Sequence, residues 1–217
     1  MIAEQKIKTI KFISLLAFAA FLATNLITAT SYGEKSILTD LSTFQLAGCS
    51  MISIIIPIAL FSKKGNLKVF EWLVWIALAI GFAFLAMDDK FMVHERIDKA
   101  IHAAFQWRET KISDRIDDII VGIYGVIGMI FIISNRKHFR FSPRFINYAK
   151  YALALAFVMV LCDMKGIYGL NQNINQILSH LEEWTKIFGG GFIFIGLLCA
   201  LEDALHSHPK DDNRQIP

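Results

Sequence analysis

Six residues within the run AMDDKFMVHERIDKAIH carry groups that bind metal ions or move protons: Asp88, Asp89, His94, Glu95, Asp98 and His102. On a continuous helix Asp88 and Glu95, seven apart, share one face. His94, Asp98 and His102 follow at i, i+4 and i+8 on a neighbouring face. Carboxylate and imidazole at such spacings suit zinc, or iron or manganese in carboxylate-bridged pairs. Further along, Asp118, Asp163, Glu182 and Glu183 stand at the edges of other apolar runs, and His180 precedes the glutamate pair. These residues predict a divalent-metal site built from Asp88, His94, Asp163, Glu182 and Glu183, with Glu95 or Asp118 as general base. Neither a His-Glu-x-x-His zinc motif nor the Glu-x-x-His pairs of ferritin-like sites occurs. A structural reading stands beside the chemical one: helix ends need polar residues, and acids at a helix start meet the positive end of its dipole.

The elements that must position these groups are apolar helices. The chain has 217 residues, 55% hydrophobic and 19% charged, with a mean hydropathy of +0.48. Several runs approach the length needed to cross about 30 Å of hydrocarbon. Hydropathy predicts an all-α polytopic membrane bundle, one domain over residues 1–217, with spans at 11–31, 43–62, 70–88, 117–134, 148–164 and 182–201. From Asp88 to Trp107 there is no glycine or proline, and apolar residues recur at helical spacing, so an amphipathic extension or surface helix is expected over 89–107. The first run is long for a signal peptide and no Ala-x-Ala site follows it, so it is read as an uncleaved span. Cys49, Cys162 and Cys199 lie in apolar runs without Cys-x-x-Cys spacing and read as small buried hydrophobes.

Charge sets the expected orientation. Lys6, Lys8 and Lys11, then Lys63, Lys64 and Lys68, then Arg136, Lys137, Arg140 and Arg144 fall on one side of a six-span chain. The positive-inside rule makes that side the cytoplasm, with both termini there, in a bacterial inner membrane. Asp88, Asp89, Asp117, Asp118, Asp163, Glu182 and Glu183 then share the outer level. Helical phase puts Asp88 over Gly81 and Ala77, Asp118 over Gly122 and Gly125, Asp163 over Ala156, Ala152 and Ala149, and Glu182 over Gly189 and Gly196. Small residues mark faces where membrane helices approach closely, so these acids are expected to point into the bundle. Converging carboxylates require a cation, shared protons or basic partners.

The run MDDKFMVHE, with Glu182 and Glu183 opening a later helix, resembles a pattern in uncharacterised bacterial multi-pass membrane proteins: an Asp-Asp/Glu pair, four residues, then His-Glu. That pattern carries no assigned activity. The segment LAMDDKFMV also loosely resembles alkaline ceramidases, zinc-dependent membrane hydrolases. Against that family the chain has six expected spans rather than seven and lacks a His-x-x-x-His pair in the last. The likeness implies a reaction class by analogy alone. Three functions are therefore open: a metal-dependent hydrolase acting on a lipid or lipid-linked substrate at the outer face, a proton- or cation-coupled transporter, and a non-catalytic membrane subunit or sensor. Membrane lipids are the expected partners. No nucleic-acid motif is present, and the basic residues flank spans rather than form a stripe.

Overall fold

The computed structural model describes residues 37–106, 116–163 and 171–206, and every regular element among them is helical. The expected first span at 11–31 lies outside the described residues. In chain order the helices are α1 (Ile37–Lys64), α2 (Val69–Phe91), α3 (Val93–Phe105), α4 (Ile116–Ser134), a 3-10 turn (Arg136–Phe139), α5 (Pro143–Asp163) and α6 (Gln172–His206). Four of them, α1, α2, α5 and α6, are long and apolar enough to cross a membrane, and α4 contains a shorter apolar stretch, Ile119–Ser134.

Helices α1, α2, α5 and α6 fall on the expected spans at 43–62, 70–88, 148–164 and 182–201, and their ends move where polar residues cap or extend a helix. Pro143 opens α5 behind Ser142, whose hydroxyl oxygen accepts the Phe145 N–H at 3.4 Å. The largest shift is at α6, which starts ten residues before Glu182 because the Asn171 side chain accepts the Ile174 N–H at 2.9 Å. An Asn/Gln-rich stretch that reads as loop is thus the first turns of a capped helix. Glu182 and Glu183 lie inside that helix, too far along it for its dipole to account for them.

The core forms where α1, α2, α5 and α6 meet. Ile52 and Ile56 of α1 bury with Trp75 and Phe82 of α2, and with Leu197 and Ala200 of α6. Glycine sets the closest approaches. A Cβ on Gly48 would sit 2.6 Å from the Phe194 ring, and one on Gly196 would meet the Tyr148 Cβ at 2.9 Å. At the basic end, the 3-10 turn drives Phe139 fully into the core, where it lies edge-on to Trp75 at 5.3 Å between ring centres. There Arg144 at the start of α5 pairs with Glu202 at 2.9 Å and with Asp203, tying α5 to the end of α6. The outward surfaces are apolar: Ile54, Ile58 and Phe61 of α1 and Leu73, Ile80 and Met87 of α2 are all exposed. Such a surface suits lipid and not water.

Small-residue faces prove uneven guides. Gly189 packs on the Ala152 carbonyl at 3.5 Å from a hypothetical Cβ, and Ala149 and Ala152 are buried. Gly81 and Gly125 instead face open space, so the stripe below Asp88 is not a helix contact, and below Asp118 only Gly122 approaches a neighbour, Val160 of α5, at 3.9 Å from a hypothetical Cβ.

Candidate functional site

Asp88 and His94 come together because the helix does not run through them. Met92 adopts the left-handed conformation (φ 52°, ψ 50°), closing α2 with its N–H on the Asp88 carbonyl and opening α3. The chain turns back, and two nitrogens of His94 reach the Asp88 carboxylate. The backbone N–H donates to Oδ1 at 2.9 Å, and ring Nδ1 lies 2.9 Å from Oδ2. Asp88 is buried and His94 half-buried, with 7% and 18% of their side chains exposed. Asp88 therefore fixes the ring's orientation and favours a proton on Nδ1, so acid–base or ligand chemistry at the imidazole falls to Nε2.

The neighbouring acid has a different partner. Asp89 Oδ1 lies 2.6 Å from Nζ of Lys186 on α6, and its Oδ2 accepts the Thr43 hydroxyl of α1 at 3.2 Å. Glu183 and Glu182 also act on the Lys186 ammonium electrostatically. Glu183 is buried, and Glu182 half-buried. Lys186 is thus the basic partner that converging carboxylates require. Around it α1 turns a polar face inward, with Thr39, Ser42 and Gln45 all buried. Gln45 presses on α6, where a Cβ at Gly190 would lie 2.6 Å from its amide oxygen, and among the described residues neither of its amide atoms has a hydrogen-bond partner. A further ion pair at this end, Lys90–Asp40 at 2.6 Å, is exposed on both sides.

On α3 the polar residues pair along the helix. Lys99 binds Glu95 at 2.9 Å. His102 Nδ1 lies 2.9 Å from Asp98 Oδ1 and 3.1 Å from the Asp98 carbonyl. Two oxygens of Asp98 thus lie within reach of one ring nitrogen. Both side chains are buried.

Of the residues singled out from sequence, Asp88 and His94 are in direct contact, and Glu182 and Glu183 gather near Lys186. Glu95 does not stack with Asp88, because the turn at Met92 breaks the phase between them, and it pairs with Lys99 instead. Asp163 ends α5, half-buried. The Asp118 backbone lies in α4, but its side chain lies outside the described residues. Among the described residues no group of three or more His, Cys, Asp or Glu side chains is placed to hold a metal ion. Sequence reasoning missed Lys186 and Thr43. The available signal was the one lysine of α6, three and four residues after Glu183 and Glu182 and so on their side of the helix.

Helices of this length and apolarity, with a paired polar cluster at one end, define the chain as an all-helical protein of membrane type. It belongs to the family described as a domain of unknown function (DUF8692), whose model matches residues 12–200. No curated protein and no solved structure matches the chain.

Proposed function

We propose that this chain is a membrane-embedded hydrolase acting on a lipid or lipid-linked substrate at the outer face of a bacterial inner membrane, with the Asp88–His94 pair moving the proton. One observation carries the reading: a buried carboxylate holds a half-buried imidazole by both its ring and its backbone N–H, at the end of a spanning helix. His94 Nε2 takes a proton from water as the oxygen attacks an ester or phosphoester centre. The imidazolium, stabilised by Asp88, returns that proton to the leaving oxygen. Glu95, engaged by Lys99, is not assigned the base role. In the metal-dependent form of the proposal, His94 would hold zinc or another divalent ion through its ring, oriented by Asp88, and the ion would supply an activated water. Six spans with both termini cytoplasmic complete the topology. Exposed Lys63, Lys68, Arg136, Lys137 and Arg140 at the end opposite Asp88 support it.

The test is turnover by purified protein in nanodiscs against a panel of ester and phosphoester lipids, with metal content measured on the same samples. The parent should hydrolyse at least one class, and His94→Ala should lose about a hundredfold or more of that rate. No turnover across the panel, or turnover untouched by His94→Ala, rejects the proposal.

A second reading, a non-catalytic membrane subunit, is favoured by a separate observation: Asp40, Asp88, Asp89 and Glu95 all find basic or imidazole partners within the chain. In that case the cluster is a clip joining α1, α2, α3 and α6, and a stoichiometric partner co-purifies. The transporter reading has less support, since the charged cluster lies at one end of the bundle and not at mid-span.

A further inference from the structure

The helix α3 is amphipathic in an inverted sense. Its buried residues are Asp98 and His102, while Ile97 and Phe105 are 38% and 63% exposed. At about 100° per residue, Val93, Ile97, Ala100, Ile101 and Ala104 share one arc of roughly a quarter to a third of the helix surface. Asp98 and His102 lie on the opposite arc. Ile97, Ala100 and Ala104 are exposed, and Val93 and Ile101 half-buried. The apolar stripe therefore turns away from the protein, and the polar face turns in.

We infer that α3 lies in the membrane surface with this stripe embedded among lipid chains, so that the occupant of the unpartnered face is the phospholipid bilayer itself. Three features of the molecule select lipid. First, α3 follows α2 after one residue, so its start is fixed where a spanning helix ends. Second, the last turns of α2, from which α3 departs, already expose apolar side chains at Met87 and Phe91. Third, exposed Arg96 borders the stripe on one side, where a long basic side chain reaches phosphate groups while its stem lies along apolar surface. A strongly amphipathic helix of low overall apolarity with a basic residue at the edge of its apolar stripe is the type that seeks the interface rather than crossing it. The placement holds Asp88 and His94 at headgroup depth, and it stands whether or not His94 does chemistry.

The experiment places a nitroxide at 97, 100 and 104 and, separately, at 96 and 99, each as a single cysteine substitution in the full chain with Cys199→Ala, reconstituted in phosphatidylcholine–phosphatidylglycerol vesicles. Accessibility to oxygen, which partitions into lipid, is compared with accessibility to a water-soluble nickel chelate. Oxygen should dominate at 97, 100 and 104, and nickel at 96 and 99. Nickel dominance at 97, 100 and 104 would put the stripe in water and overturn the inference. Exclusion of both reagents with spin–spin broadening at 97 would make the occupant a second copy and overturn it equally. Position 100 exchanges one exposed small residue for another, so the result does not depend on how the bundle tolerates loss of Ile97.

Discussion

Asp88 does two separable jobs, and substitutions there should separate them. Asp88→Ala removes the acceptor of a partly buried backbone N–H and should cost about 1–3 kcal/mol. Asp88→Asn keeps an oxygen for that N–H but loses the negative charge behind the imidazole, so it should retain most of the stability while losing turnover. Reversible unfolding in mixed micelles and the nanodisc assay read the two effects independently. Sequence groups Asp88 and His94 in one site but hides their direct contact: the positions are six apart, off any helical repeat, and meet only because Met92 turns left-handed. Nothing in a methionine announces that conformation. Lys186 was legible in principle, as the one lysine of α6, a turn after the glutamate pair. Its pairing across helices to Asp89 depends on packing that hydropathy does not encode. Lys186→Met should destabilise by about 3–5 kcal/mol, because it strands a mostly buried carboxylate, and adding Asp89→Leu should recover much of that loss. Lys90→Ala, at the exposed pair with Asp40, should cost less than about 1 kcal/mol.

At the scale of elements, the turn between α2 and α3 decides the site. A β-branched residue at 92 resists the left-handed region, whereas glycine enters it without strain. Met92→Val should therefore lower stability by about 1–2 kcal/mol, and Met92→Gly should leave the fold intact, as measured by the same unfolding curves. Helix interiors were legible in sequence because apolar runs of spanning length permit little else. Helix ends were not. Asn171 caps a stretch whose composition reads as loop, and Phe139, inside a basic segment that reads as surface, fills the core. Both depend on a neighbour the local sequence does not contain.

Across the whole molecule, close helix approach and polar pairing are arranged in layers. Gly48 against Phe194 and Gly196 against Tyr148 let α1, α5 and α6 draw together, and Arg144 clamps one end to Glu202 and Asp203. The paired acids occupy the other end. Gly48→Ala should cost about 1–3 kcal/mol, since its new methyl meets the side of an aromatic ring in a packed interface. That Asp89, Glu182 and Glu183 meet at one end of the bundle agrees with the order of the apolar runs. Phase was less informative, as Gly81 and Gly125 show by facing open space.

The central claim is that Asp88 and His94 act as one proton-moving unit. Turnover of the best lipid substrate by Asp88→Asn, His94→Ala and the double substitution tests it most directly. Residues acting as a unit predict a double variant no slower than His94→Ala alone. Losses that multiply, or a His94→Ala protein as fast as the parent, would contradict the account.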